Sequence, residues 1–514
     1  MAEKTAASIT DFDPTTVNDV YVQHQSEWEL NRDFAEMHLK ALRDGDYLDK
    51  FGKSVDSNSP AHESDHQYSW RKEQSFAMDP CADLINLRVD NIFRSPPIRQ
   101  YDESPHKAFV EDWLRDVDGG GTDMTAFMRK ALVKHYINGV DFVVDKARTD
   151  LEPTTLAQEQ AMGIRPYLHA FGPLERMDWA CNHAGKYLWA RYKLGAMPAP
   201  DEQSGVPSLD EYLTVSDREW RLYEVPTDDE SGAGVHMTSG PITIGVCPIV
   251  SFYFKESSRA DSVKVPLSLL TRIAPIARYL LNLLSQLELD TYTSISFWAI
   301  TGADPEGIPR EMAPCCVWAL PDGATVHDMG GETKQIQVKM DFIRMLIDTI
   351  LRIGKLTDTS GQMQGRAASG VQVAVERTDL DNEMRMTAIQ AEQVEKDLVW
   401  LAICRHTGKL IPRDEIGYTV EYNKKYVLTP VGELIKHLAE FVKTGADSEV
   451  PSATKILLRK ILDAVSNEDD KLYQDALKEI DDAVFGGAMP DEVIPPAEVP
   501  AGEGGELDGT EEVE

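Results

Sequence analysis

The chain has 514 residues, 42% of them hydrophobic, and a formal net charge of −34 at pH 7. A length of this order holds about two to four domains and a large buried core, while so acidic a balance argues against a protein that grips nucleic acid through basic patches. No run of about eighteen apolar residues is free of charge, so a membrane-spanning helix is not expected. The opening Met-Ala-Glu-Lys-Thr-Ala-Ala-Ser also lacks the basic-then-apolar pattern of a secretory signal.

Residues 1 to about 60 are polar, with helical potential from about Val17 to Asp46. From Gln67 to about Ser262 the pattern is mixed α/β. Helices are expected at Pro80–Phe93 and Met124–Asn138, and strands at Val140–Asp145, Tyr167–Phe171, Tyr187–Lys193 and Trp220–Val225. Gly119-Gly120-Gly121 lacks a following Lys-Ser/Thr and reads as a turn between helices, and Thr227–Gly240 as an exposed loop. The cysteines Cys81, Cys181, Cys247, Cys315, Cys316 and Cys404 make no CxxC pair, which is reduced usage with buried structural thiols.

The most patterned stretch runs from about Ser262 to Cys404. Leu267, Leu270, Ala274, Ala277, Leu280, Leu281, Leu284 and Leu287 recur every three or four residues and predict one apolar helix. Pro275 interrupts that stripe, so either a kink or a restart with Pro275 in the first turn is expected. Cys316–Leu320, Pro321-Asp322-Gly323 and Thr325–His327 read as strand, turn and strand. Met340, Ile343, Ile347, Ile350, Leu351 and Gly354 then share a second helical face. Thr357 to Gly370 has almost no apolar content and three glycines, the composition of a mobile loop. Beyond Gly370 a helix is expected to about Arg405, with Leu380, Met384, Ala388, Ala391, Val394, Leu398 and Leu401 on one side. At ~1.5 Å per residue it approaches ~50 Å. Thr429-Pro430 and Ser452 cap further helices, and helical potential continues to about Phe485. Ala488–Glu514 holds nine acids and no Lys or Arg, which predicts disorder.

One motif points to catalysis. His62-Glu63-Ser64-Asp65-His66 matches H-E-x-x-H, in which one helical turn offers two imidazoles to zinc and the glutamate activates water. Its surroundings are polar and no third ligand is marked downstream, so we read it as a polar surface segment. No Walker A sequence occurs.

The order of helix, insert, helix, Ser369-Gly370 loop and long helix, with the insert's Leu320-Pro-Asp-Gly-Ala324 turn, resembles the portal (connector) proteins of tailed bacteriophages. Arg71 through Leu84–Phe93, and Tyr136–Asp145, are similar to that family's N-terminal wing; Val450–Thr454 leading into Lys455–Leu458 looks like its crown. The resemblance implies a mixed α+β, helix-rich portal fold. Its parts would be an N-terminal arm and α/β wing (1–263), a first stem helix (264–297), a clip (298–337), a second stem helix (338–356), a tunnel loop (357–370), a long wing helix and following strand (371–424), a helical crown (425–486) and a disordered acidic tail (487–514).

It further implies a homo-oligomeric ring of about twelve subunits at one capsid vertex of the virion, assembled in the host cytoplasm. The implied partners are the terminase large subunit, head–tail adaptor or tail proteins, the major capsid or scaffolding protein, and double-stranded DNA passing through the channel; no membrane, metal or cofactor is implied. Leu280, Leu284, Ile343, Ile347 and Ile350 would pack the stem, buried between helices of the same and neighbouring subunits. Asp304, Glu306, Arg310, Trp318, Asp322, His327 and Asp328 would form the clip that docks terminase and then the adaptor. Ser360, Gln362, Gln364 and Arg366 would face DNA, suited to weak phosphate contact. An acidic wall with few fixed contacts lets a duplex slide, although the same charge serves plain solubility. No catalytic residue is expected, and the packaging ATPase would be a separate chain. Two other readings stand beside this one: a zinc metalloprotease-like maturation enzyme using His62, Glu63 and His66, and a capsid scaffold or adaptor that does not conduct DNA.

Overall fold

The computed structural model describes residues 13–44, 47–50, 63–78, 80–146, 158, 162, 164–197, 209–226, 236–258, 264–294, 298–301, 325–328, 333–356, 370–424, 426, 455, 458–459 and 471–482. They fall in two compact units, Met1–Tyr426 and Val427–Glu514.

The first unit begins with helices. α1 (Asp19–Glu36) is capped by Asn18, whose side chain accepts from the Val20 N–H at 2.9 Å; Met37 then turns left-handed, so the helical region expected over Val17–Asp46 is split and α2 (Leu39–Asp44) follows separately. α3 (Asp65–Gln74) and α4 (Pro80–Ile92) lead to a short strand, β1 (Ile98–Gln100). α5 (Lys107–Arg115) and α6 (Met124–Ile137) are joined by the Gly119–Gly121 turn, in which Asp118 accepts from the Gly120 N–H at 2.8 Å. α6 starts at Asp123, which accepts from Thr125 and Ala126 at 2.7 and 2.9 Å.

Two antiparallel sheets follow. β2 (Val140–Lys146) is the central strand of one, between β3 (Pro166–Phe171) and a later strand, and six of its seven residues are buried because helices and the second sheet cover both faces. The second sheet is a five-stranded meander of β4 (Arg176–Cys181), β5 (Tyr187–Met197), β6 (Leu209–Ser216), β7 (Glu219–Pro226) and β8 (His236–Pro241). β9 (Ile249–Phe252) returns to β2, pairing Phe142 with Val250. β4, β6, β8 and β9 were not expected from sequence, and the end of the Thr227–Gly240 loop is in fact the exposed edge strand β8.

A two-stranded ribbon, β10 (Lys255–Glu256) with β11 (Pro266–Leu267), and a 3₁₀ turn at Leu270–Arg272 precede α7 (Ala274–Ser294). Pro275 therefore sits in the first turn of a restarted helix, where its missing N–H costs nothing. β12 (Trp298–Thr301) and β13 (Thr325–Asp328) pair antiparallel, Thr301 opposite Thr325, before α8 (Thr333–Ile353). The expected strand Cys316–Leu320 lies outside the described residues. α9 (Gly370–Thr407) has 38 residues, and β14 (Thr419–Glu421) closes on β1. In the second unit α10 (Lys471–Asp482) is the longest described element; the Thr429 and Ser452 caps and the acidic tail lie outside the described residues.

The core of the first unit is contiguous and draws on α4, α6, β2, α7 and α9, with Leu84, Tyr136, Phe142, Leu280, Leu398 and Ile403 all buried. Cys81, Cys247 and Cys404 are buried free thiols and Cys181 is half-buried. Burial pushes the Cys404 and Cys181 thiols up, Cys181 to about 11.

Candidate functional site

The paired helices α7 and α8 are held very differently. On and before α7, Leu270, Ile273, Ala274, Ala277, Leu280, Leu281, Leu283 and Leu284 are all buried. Its polar side is engaged too: Asn282 accepts from the Asp49 N–H at 2.7 Å and donates to the Tyr47 carbonyl at 2.8 Å. On α8 the buried apolar side chains among the described residues are Ile343 and Ile350; Ile347 is half-buried, and Phe342 meets Tyr279 of α7 edge-on at 5.9 Å. Leu280, Leu284, Ile343 and Ile350 are thus covered within one chain. Among the described residues, the large apolar side chains left exposed on the pair are Tyr279, Val338, Met340 and Met345.

Three buried arginines and a half-buried one, Arg99, join the elements around this pair. Arg88 of α4 donates to the Leu84 carbonyl at 2.8 Å, the Gly354 carbonyl at 2.7 Å and Glu383 of α9 at 3.0 Å. Arg99 of β1 grips Glu395 of α9 at 2.6 Å, and the hydroxyls of Tyr418 and Tyr422 close on the same carboxylate at 2.6 and 2.5 Å. Arg176 of β4 pairs with Asp141 of β2 at 2.9 Å, and Tyr253 donates to Asp141 at 2.6 Å, so one dry cluster staples the two sheets together. Burial, opposed by Arg176 and reinforced by Asp141, holds the Tyr187 hydroxyl firmly protonated. The fourth, Arg71 of α3, ties α3 to α7 by donating to Ser285 at 3.0 Å.

Arg71 also decides the H-E-x-x-H motif. Both Glu63 oxygens accept from it at 2.8 Å, and Glu63 is only 6% exposed. Ser64, Asp65 and His66 are exposed, as a surface segment should be, while the Glu63 carboxylate is turned inward and engaged by Arg71. The helix starts later than zinc chemistry needs: Ser64 is its cap, forming a capping box with Gln67, so His62 precedes the cap while His66 is in the first turn. His62 itself lies outside the described residues. Among the described residues no group of three His, Cys, Asp or Glu is placed to hold a metal ion.

Of the clip residues, Asp304, Glu306, Arg310, Trp318 and Asp322 lie outside the described residues, as do Ser360, Gln362, Gln364 and Arg366 of the tunnel loop. His327 and Asp328 are on β13, opposite Ala299 and Trp298. Sequence reasoning missed the arginine joints. Arg88 offered one signal, a charged residue four positions from both Leu84 and Ile92 on an apolar stripe.

No family model matches this chain, and no curated protein matches it. Among solved structures it is similar to a chain from the neck of the empty gene transfer agent (GTA) particle, with TM-score 0.40 and 12% identity over 83% of this chain and 97% of that one. It is also similar to a chain of the native GTA virion (TM-score 0.35, 14% identity, 72% of this chain and 88% of that one). A third is a chain from the neck of the native GTA particle computed with C12 symmetry (TM-score 0.35, 13% identity, the same shares).

Proposed function

We propose that this chain is the subunit of a portal ring, a structural protein that walls the DNA channel at one vertex of a phage-like capsid. The observation that carries the reading is the order, among the described residues, of an embedded helix, a β-ribbon, a lightly held second helix and a 38-residue helix, α7 through α9. It suits a wall in which paired helices line a passage and the insert projects to meet other proteins. On this reading the insert docks the terminase motor during packaging and an adaptor or tail protein afterwards, the capsid or scaffolding protein seats the ring, and duplex DNA passes through it.

The charge fits the task. With a net charge of −34 the chain has no excess of cations to release counterions from DNA, so a duplex meets few fixed contacts and slides. We assign the chain no enzymatic role. Glu63 is committed to Arg71, and translocation would draw its energy from a separate ATPase. No described helix is long and apolar enough to cross a membrane.

Native mass measurement and negative-stain microscopy of the full chain, alone and co-expressed with the coat protein, test the reading. A large closed ring with an axial opening wide enough for duplex DNA, about twelve subunits in the particle, is expected. A monomer under every condition overturns it, and a ring without such an opening moves the chain to a scaffold or adaptor role.

A further inference from the structure

The five-stranded meander has two edges of different kinds. Along β4 the Asn18 N–H donates to the Met177 carbonyl at 2.9 Å and its side chain donates to Asp178 at 3.0 Å, so the chain itself occupies that edge. β8, at the other edge, is exposed from His236 to Ser239 and again at Pro241. The Ile242 N–H donates to the Arg218 carbonyl at 2.6 Å, which fixes the phase of the ladder. His236, Thr238 and Gly240 therefore exchange hydrogen bonds with β7, while the N–H and C=O groups of Met237 and Ser239 turn outward. Among the described residues those outward groups have no partner.

Edge strands that stay single carry charges, bulges or a central proline. β8 has none of these: it holds no Lys, Arg, Asp or Glu, its register with β7 is unbroken, and Pro241 stands at its last position. His236, Thr238 and Gly240 share one face with Glu224, Leu222 and Trp220, which lie opposite them on β7. At one end of that face Glu211 of β6 stands directly opposite Glu224, and His236 Nδ1 lies 3.2 Å from Glu224 Oε2. Even with His236 protonated this row carries one net negative charge. At the other end a Cβ on Gly240 would come within 2.7 Å of Trp220 Nε1, so the indole lies across β8 where the glycine leaves room. Arg218, two positions before Trp220, is exposed there and disfavours a second cation at that end. On the opposite face Arg221 and Glu219 pair at 2.6 Å and offset one another.

We propose that β8 is a docking edge for an extended segment of a basic protein partner. The segment adds antiparallel to the meander, places an apolar residue over Trp220 and, four positions later, a lysine or arginine beside His236. Main-chain bonds to Met237 and Ser239 supply affinity, and the two side chains supply selection. The cation stands two strand spacings, ~10 Å, from Glu224, about one Debye length at ~0.1 M salt. The chain's net charge of −34 favours the approach of such a partner. The site stands whether or not the chain forms a portal ring.

Two labelled peptides test this against the full chain by fluorescence anisotropy at about 0.05 M salt. One is Thr-Val-Thr-Thr-Thr-Lys-Thr, and the other has Glu in place of Lys. The lysine peptide should bind saturably and about tenfold more tightly than the glutamate peptide. Ser239→Pro removes an outward N–H and spares every bond to β7, so it should weaken the lysine peptide about tenfold without lowering the thermal midpoint. Glu224→Gln should narrow the gap between the two peptides. A lysine peptide that does not saturate, or that binds the Ser239→Pro variant as it binds the parent, overturns the docking edge. Should Ser239→Pro unfold the chain, Glu224→Gln still decides: a gap that it leaves unchanged, or equal binding of the two peptides to the parent, overturns the basic partner.

Discussion

The imidazole of His135 is wholly buried on α6, its ring centre 4.0 Å from that of Phe252 and 5.1 Å from that of Tyr136. Burial holds its pKa down at about 3, with the Phe252 backbone pulling weakly the other way, because a desolvated imidazolium costs more than a neutral ring. An unfolded histidine titrates near 6.5. Between about pH 3 and about 6.5 the unfolded chain therefore binds a proton that the folded chain refuses, so stability rises with pH through that window and is lost on acidification. Replacing the ring by His135→Phe removes this term. Thermal midpoints followed from about pH 7 down to about pH 4 should fall less steeply in the variant than in the parent. Parallel curves would mean that His135 is not the group whose protonation drives the loss.

Helix α3 is a short polar element, and its attachment to α7 rests on the Arg71 guanidinium, 2% exposed, and its contacts with Glu63, Ser285 and the Asp49 carbonyl. Glu63→Ala would take the carboxylate away from that buried cation, a loss of about 3–5 kcal/mol, read as a lower urea midpoint. Removing both charges with Glu63→Leu and Arg71→Met should recover part of it; a Glu63→Ala variant as stable as the parent would put the carboxylate back at the surface. The contrast with α4 and α6 shows which elements the sequence made legible. Those helices, like α9, carry their apolar spacing locally, and α6 its Asp123 cap as well, so their bounds could be read within a residue or two. β8 could not be found that way. Its His-Met-Thr-Ser-Gly-Pro has one large apolar side chain, Met237, which is 50% exposed, and only pairing with β7 makes it a strand. The joints of the candidate site were hidden by distance: Arg88 meets Gly354 and Glu383 across 266 and 295 positions, and no local pattern encodes such partners.

At the scale of the whole chain, the portal reading separates assembly from DNA handling. Assembly draws on helical faces packed around α7 and α9, where Leu280, Leu284, Ala388 and Leu398 are buried. The stretch between the end of α8 and Gly370 has a different makeup. Residues 357–369 lie outside the described residues, and their sequence holds one large apolar side chain, Met363, among Thr, Ser, Gln and Gly. Such a composition contributes little to burial. Shortening the stretch by deleting Gly361 to Gly365 should therefore leave the ring intact and reduce the DNA packaged or retained, as measured by ring mass and by genome content of purified particles. Arg366→Ala should have a smaller effect, because a single phosphate contact per subunit is weak and screened by salt. If the deletion variant forms rings and packages full-length genomes as the parent does, residues 357–369 are a connector between helices, and the channel surface must be sought on the open side of α8, where Val338 and Met345 face solvent.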